Sequence, residues 1–386
     1  TGPTAVSFGD DIAVNSYHAD SDTQITANVT IAADAATGSR SVSVTTPDGT
    51  YTKSSAFRVY APSSCGWVTM TVATVSAGPP SIALDSSGNP HIAYVDYTNN
   101  KLKYVSYDGA HWSTPEIVYD GTASYPSLAM NGDSPCISYI DGTANTLSYA
   151  WKDVTWKQKN MVGINVCSES QPSLALDNAG KPHISFGSID PYPLKYAYNH
   201  GDPATTTDWT IENVGVNARY SSSLALDSAN NPHISYARPD DMDHVGYAYK
   251  SGAGAWTTIQ VNTDRTHITS IALDSGGDPH ISYVDITVSG AIKYTSRGVG
   301  GVWAAPVAVG SGSHSNYNSP LALDSAGNPR ICYSNNYVIK YYAGSVPDTQ
   351  VVAGGPFGQI ISLALNKSTD KPHVAYCESS TLLKYA

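Results

Sequence analysis

The sequence is poor in charge, and poorer still in the residues that build helices or bind polyanions. Only 14% of its 386 residues are charged, Lys and Arg together number 21 against 32 Asp and Glu, and the net charge is −11. So little positive charge leaves no basic patch to neutralise a phosphate backbone, and nucleic acid is not expected as a partner. No apolar run approaches the eighteen or more residues that a membrane span needs. The first residue is Thr rather than the start of a signal peptide, so the chain is expected to be mature or trimmed. Five cysteines (Cys65, Cys136, Cys167, Cys332, Cys377) form an odd set without CxxC spacing, which implies neither a zinc site nor a full disulfide framework. With four Glu and seven Arg in the chain, no catalytic triad, nucleophile elbow or phosphate loop is recognisable.

What is present is β-forming. There are 27 Tyr and 32 Gly with abundant Ser, Thr and Asn, while helix-favouring residues are sparse. One phrase recurs through the last four-fifths of the chain. It reads SIALDSSGNPHIAY from Ser81, SLAMNGDSPCISY from Ser127, SLALDNAGKPHISF from Ser173 and SLALDSANNPHISY from Ser223. It continues as SIALDSGGDPHISY from Ser270, PLALDSAGNPRICY from Pro320 and SLALNKSTDKPHVAY from Ser362. The starts are 46, 46, 50, 47, 50 and 42 residues apart, the length of one four-stranded propeller blade.

Each repeat punctuates itself. A strand such as Ser81-Ile82-Ala83-Leu84 ends at Asp85, whose side chain starts a turn, and Gly88 supplies the positive φ that the turn needs. Pro90 is tolerable as the first residue of the second strand, His91 to Asp96. A third strand runs from Lys101 to Tyr107, and a fourth begins at Trp112; its Trp returns as Trp156, Trp209, Trp256 and Trp303. The seventh repeat stops at Leu383-Lys384-Tyr385-Ala386 without a Trp strand, and a spare one, Gly66 to Val75, precedes the first repeat. The expectation is an all-β, seven-bladed β-propeller whose N-terminal strand closes the last blade, with Trp67 and Val72 set against Leu383 and Tyr385. Such closure removes the open sheet edge.

The repeats over 62–386 resemble the SLALDxxGxPHISY-type propeller repeats of secreted prokaryotic surface proteins. They are only loosely similar to sialidase Asp-box repeats, whose motif sits on a different turn. Residues 1–61 alternate apolar and polar, and TAVSFG, SDTQITANVTIA and TGSRSVSVTTPDGT resemble the later strands of an IPT/TIG-type immunoglobulin-like domain. That resemblance implies an incomplete β-sandwich, because two opening strands are wanting. Its half-covered residues Val6, Phe8, Ile25, Val29, Val42 and Val44 are then candidates for an assembly contact.

The repeated histidines (His91, His183, His233, His280, His373) invite a metal hypothesis that geometry opposes. Second strands on the order of 12 Å from the axis stand about 10 Å apart between blades, whereas zinc needs nitrogens near 2 Å. Inter-blade hydrogen bonding by a buried His is expected instead, with no metal or other cofactor. A site should lie where the repeats differ. Two residues past the second-strand aromatic they read Asp96, Asp141, Ser188, Arg238, Asp285, Asn335 and Glu378. Tyr125, Gln171, Tyr220, His267, Tyr317 and Gln359 stand on the connections at the same face. Asp96, Asp141, Asp285 and Glu378, with Arg238 opposite and Tyr125 and Tyr220 beside them, are the candidate ligand site. The bland alternative is that each Asp only starts its loop.

The reading is a non-enzymatic, extracellular structural or adhesive protein that self-associates, as filament or surface layer, through its incomplete sandwich. The alternative is a glycan-binding, lectin-like propeller, or a glycosidase or lyase using carboxylates such as Asp96 and Asp141.

Overall fold

The structure is a computed structural model. It describes the chain except residues 1, 22, 33–34, 36–37, 60–66, 167–169, 190–191, 206, 219, 239–243, 288–289, 299, 312–318, 336–337, 345–348, 355–356 and 379–380. The described chain is all strand, bridge and turn, and no helix is long and apolar enough to cross a membrane. It divides into two compact units, Thr1–Val68 and Thr69–Ala386.

In the first unit, β1 (Ala5–Ser7), β4 (Gly38–Thr46) and β5 (Gly49–Val59) form one antiparallel sheet, and β2 (Ile12–Ser21) with β3 (Gln24–Ile31) forms a second. Alternation decides which residues turn inward: Val6 lies opposite Val44, and Val29 opposite Val14. Val6, Phe8, Ile25, Val29, Val42 and Val44 are all half-buried. The shared core is small, with Ile12 and Ala35 buried among Phe8, Val29 and Phe57 and the two Phe rings edge-on at 5.1 Å.

The second unit opens with β6 (Met70–Thr74). Sheet 1 follows as β7 (Ser81–Leu84), β8 (Pro90–Asp96), β9 (Lys101–Ser106) and β10 (Glu116–Tyr119). Sheet 2 is β11 (Ala123–Asn131), β12 (Ser134–Asp141), β13 (Thr146–Lys152) and β14 (Trp156–Asn165). Sheet 3 is β15 (Ser173–Leu176), β16 (Pro182–Gly187), β17 (Pro193–Asn199) and β18 (Trp209–Asn217). Sheet 4 is β19 (Ser222–Leu226), β20 (Pro232–Ala237), β21 (His244–Tyr249) and β22 (Thr257–Arg265). Sheet 5 is β23 (Thr269–Leu273), β24 (Pro279–Asp285), β25 (Ala291–Ser296) and β26 (Val307–Ser311). Sheet 6 is β27 (Leu321–Leu323), β28 (Pro329–Asn335), β29 (Val338–Tyr342) and β30 (Thr349–Gly354). Sheet 7 joins β31 (Phe357–Asn366), β32 (Lys371–Glu378) and β33 (Leu382–Tyr385) to β6. There Leu383 lies opposite Ala73 and Tyr385 opposite Met70; Val72 is half-buried, and Trp67 falls in the first unit, outside any strand.

These sheets are four-stranded propeller blades. Their second strands are covered on both faces, as in β8, where all seven residues are buried, because each blade packs between two others. The repeat motif builds one blade and fastens it to the next. Asp85 Oδ1 accepts the amides of Ser87 and Asn89 at 2.9 and 2.8 Å, and Gly88 takes φ +84°. The leading Ser of a repeat turns to the following sheet: Ser81 Oγ accepts the Leu128 amide at 2.9 Å, Ser127 that of Leu174 at 3.0 Å and Ser173 that of Leu224 at 3.0 Å. Third-strand tyrosines meet the next sheet's Trp edge-on: Tyr104 to Trp156, Tyr149 to Trp209, Tyr196 to Trp256 and Tyr247 to Trp303, at 5.2 to 5.6 Å. Tyr385 of sheet 7 meets Trp112 of sheet 1 in the same way at 5.4 Å. Such pairs are worth about 0.5–1.5 kcal/mol each beyond the area they bury. Trp112 and Trp303 stand ahead of their fourth strands, as isolated bridges to Tyr107 and Arg297.

The histidines correct the expectation of inter-blade bonding. His233 Nδ1 bonds the Tyr247 hydroxyl at 2.7 Å, His280 that of Tyr294 at 2.5 Å and His373 that of Tyr385 at 2.6 Å, and His91 and His183 bond Tyr104 and Tyr196. Every partner is in the same sheet. The other nitrogen faces the turn aspartate of that sheet, at 3.4 Å for His91 and Asp85 and 3.7 Å for His183, His233 and His280. Arg330 takes this position in sheet 6, 2.7 Å from Asp324. The histidines therefore brace each blade internally, and the contacts between blades are made by other residues, the Ser and Trp above among them.

Candidate functional site at the channel mouth

Every inner strand starts at one end of a common channel and runs to its Asp or Asn turn; the second strand returns. The residues two beyond the second-strand aromatic therefore come back to the starting end, where Asp141 pairs opposite Ala123 and Asp96 opposite Ala77. The channel there encloses about 190 Å³ and is lined from all seven sheets, by Pro79, Tyr125, Gln171, Ser221, Pro320 and Ile361 among others.

The carboxylates at this mouth are already engaged, Asp96, Asp285 and Glu378 by lysines of their own sheets and Asp141 partly by the neighbouring sheet 1. Asp96 is 0% exposed; it lies 2.7 Å from Lys103 Nζ and accepts the Asn99 amide and side chain at 3.2 and 2.8 Å. Burial alone pushes its carboxyl up, but Lys103 and Asn99 together hold it below the ordinary carboxylate range. Asp285 repeats the arrangement with Lys293 at 2.6 Å and the Thr287 amide at 2.9 Å, with the same outcome. Glu378 faces Lys384 at 3.2 Å. Asp141 has no such Lys and accepts the Tyr119 hydroxyl at 2.9 Å and the Thr143 and Ala144 amides at 2.9 and 3.1 Å. A carboxylate held ionised by a lysine and a turn is a poor general acid. Arg238 is half-buried, its amide donating to His244 O at 3.0 Å. Tyr317 lies outside the described residues, as does the side chain of Gln359.

The lysines were legible but unread. Lys-Tyr recurs on third strands as Lys103-Tyr104, Lys195-Tyr196, Lys293-Tyr294, Lys340-Tyr341 and Lys384-Tyr385. The Tyr serves the histidine in sheets 1, 3, 5 and 7, and the Lys reaches the mouth carboxylate in sheets 1, 5 and 7.

Aromatic rings occupy the same face. Tyr97, which the sequence reading passed over, is 49% exposed; its ring lies so close over Gly78 that a Cβ there would come within 2.7 Å of it. Burial of its inner side raises its pKa, with Tyr125 and Cys377 as neighbours. Tyr125 and Tyr192 adopt φ of +49° and +69°, a region costly for residues with a side chain and characteristic of sites where geometry is imposed. Tyr192 O accepts the Ala218 amide at 2.8 Å. The rings of Tyr220 and His267 are 4.2 Å apart and inclined by 33°. Flat apolar faces beside hydroxyl, amide and carboxylate groups suit a polyhydroxylated ligand.

Among the described residues no three His, Cys, Asp or Glu side chains gather as a metal site. Cys136, Cys332 and Cys377 are free and buried, while Cys65 and Cys167 lie outside the described residues.

No protein-family model matches the chain, and no curated protein matches it at a significant level. Solved structures do match in fold. A lectin from Burkholderia pseudomallei superposes with a TM-score of 0.61 at 11% identity, over 82% of this chain and 96% of its own. A polysaccharide lyase, an ulvan lyase bound to -[GlcA(1-4)Rha3S]-, gives 0.54 at 12% identity, over 82% and 95%. The Swd1 β-propeller domain of Myceliophteria thermophila gives 0.53 at 7% identity, over 83% and 99%. The chain is thus similar in architecture to β-propellers, lectins among them.

Proposed function

We propose that this protein is an extracellular carbohydrate-binding propeller of seven blades, closed by β6, which holds a glycan at its channel mouth and does not cleave it. The observation that carries the reading is the half-exposed Tyr97 ring beside the strained Tyr125, in a mouth whose polar groups are otherwise fixed in place. A sugar's C–H face stacks on such a ring while its hydroxyls reach the surrounding acceptors. The lectin neighbours support the choice of ligand class. Against cleavage stand the lysine-neutralised Asp96 and Asp285 and the hydrogen-bonded Asp141. A glycan array followed by a product assay tests this. Binding that Tyr97→Ala weakens at least tenfold, without new chain ends, is expected; turnover, or silence across the array, would overturn it.

A second reading concerns the first unit, proposed as an incomplete immunoglobulin-like sandwich through which the chain self-associates. A cleft of about 860 Å³ opens there beside Ala19, Ile25, Val44 and Tyr51, and the unit's core is only a few residues deep. Burying such apolar surface stabilises association by roughly 25 cal/mol per Å². Sedimentation of the whole chain should show concentration-dependent assembly that Ile25→Asp abolishes; a monomer at every concentration rejects it.

A further inference from the structure

We infer that the ligand of this mouth is a linear oligosaccharide following an arc over sheets 1 to 5, and not a single sugar. The inference rests on the glycan-binding reading above. Each of these five sheets carries an aromatic residue on a segment at the mouth end: Tyr97 on sheet 1, Tyr125 on sheet 2, Tyr192 on sheet 3, Tyr220 on sheet 4 and His267 on sheet 5. They come from two kinds of segment. Tyr97 and Tyr192 follow second strands, whereas Tyr125, Tyr220 and His267 lie on the way into inner strands. The row is therefore not a product of repetition, because no single repeat position supplies it.

Local structure fixes each member. Tyr97 is seated on Gly78, where any side chain would collide with it. Tyr192 is held at positive φ with its carbonyl on Ala218, and Tyr125 is held at positive φ beside Ser127, whose hydroxyl binds the next sheet. The Tyr220 carbonyl accepts the Gln171 amide at 3.1 Å, and the His267 carbonyl accepts the Ser221 hydroxyl at 3.2 Å. Each of these last two bonds joins neighbouring sheets, and the second holds the His267 ring beside that of Tyr220. On sheet 7 the channel lining is Ile361 and Ser362, and the mouth polar group is Glu378, paired with Lys384. Tyr317 of sheet 6 and the side chain of Phe357 of sheet 7 lie outside the described residues, so the arc is drawn over sheets 1 to 5 alone.

Neighbouring blades stand about 10 Å apart at the second strand, while the Tyr220 and His267 rings, 4.2 Å apart, act as one platform; a monosaccharide on that pair does not reach Tyr97, three sheets away. A chain of sugars running along the arc meets them in succession. Each added contact is then intramolecular and raises affinity without a new association cost.

The test uses the full-length protein and size-graded oligosaccharides, one to eight sugars long, from cellulose, chitin, xylan and a polyuronate. Affinity should climb at least tenfold between the disaccharide and the hexasaccharide of the preferred series. Tyr97→Ala, at one end of the arc, and Tyr220→Ala, in the ring pair with His267 at the other, should each remove most of that gain, and Tyr97→Phe and Tyr220→Phe should keep it. Unchanged thermal melting separates loss of stacking from loss of fold. Equal affinity at all lengths, or a gain that only one end variant removes, overturns the arc while leaving glycan binding intact. No binding to any series overturns both.

Discussion

Ser362 Oγ accepts the amide of Ile82 at 3.1 Å although 280 residues separate the two in sequence. It is the same bond that joins sheet 1 to sheet 2 and sheet 2 to sheet 3, and it recurs from Ser223 to Ile271 and from Ser270 to Leu321. Between sheets 6 and 7 this accepting hydroxyl is missing, since Pro320 stands where the other repeats have Ser. Removing one such acceptor leaves a partly buried amide unpaired and costs about 1–2 kcal/mol. Ser362→Ala and Ser127→Ala should therefore lower stability equally in urea unfolding. A loss confined to Ser127→Ala would mean that the closing seam is not formed in solution.

The outer seams differ in a way that can be exploited. Glu116 of sheet 1 binds Lys152 and the Trp156 indole of sheet 2 at 2.7 and 3.0 Å, and Glu212 of sheet 3 binds Lys250 and Trp256 of sheet 4 at 2.6 and 2.8 Å. Between sheets 4 and 5 the equivalent position, opposite Tyr247, is Ile259. There the indole N–H of Trp303 is buried without an acceptor, and Arg297 lies within cation–π reach of Tyr247. Ile259→Glu is expected to raise stability by about 1 kcal/mol, through one charge-assisted hydrogen bond and one ion pair. A lower melting temperature would show that the apolar contact of Ile259 outweighs both.

Acid should weaken the ring earlier than it weakens most folds. Burial lowers the pKa of His91, His183, His233, His280 and His373 below the ordinary 6.5. The unfolded chain then binds more protons than the folded one as pH falls past 6.5, so stability is full above that value and declines below it. Calorimetry from pH 8 to pH 5 should show the melting temperature falling in the lower half of that range. His280→Gln should flatten the decline, and a profile already flat in the parent chain would refute the linkage.

Asp96 and Lys103 make a stability prediction at the candidate site itself. Asp96→Ala strands a mostly buried ammonium and two Asn99 donors and should cost about 2–4 kcal/mol. Removal of Asp120, exposed and paired to Lys101 at 3.1 Å, should cost less than about 0.5 kcal/mol. Equal effects in denaturant titrations would contradict the distinction.

How much of this could be read beforehand follows from what repetition encodes. The SLALD phrase marks inner strand, turn and second strand directly, because Asp, Gly and Pro each impose a backbone geometry wherever they occur. It does not say whether a recurring side chain faces its own sheet or the next, since both neighbours lie at similar distances. His91 was assigned to the wrong one for that reason, and Ser81, which does bridge, drew no notice. Tyr97 was missed because a site built from different positions in different repeats leaves no column to compare.

Lys384 Nζ meets Thr71 Oγ1 at 2.9 Å across 313 residues, the mark of a sheet whose fourth strand is made first. Synthesis at roughly 5–20 residues per second puts about 15–60 s between the emergence of β6 and of β33. Through that interval β6 is an unpaired edge carrying Met70 and Val72, and any β33 it meets is an equal partner. On a polysome the nearest completed β33 can belong to the chain ahead. The order of translation thus sets a competition between a closed monomer and strand-exchanged dimers, decided by how crowded the nascent chains are.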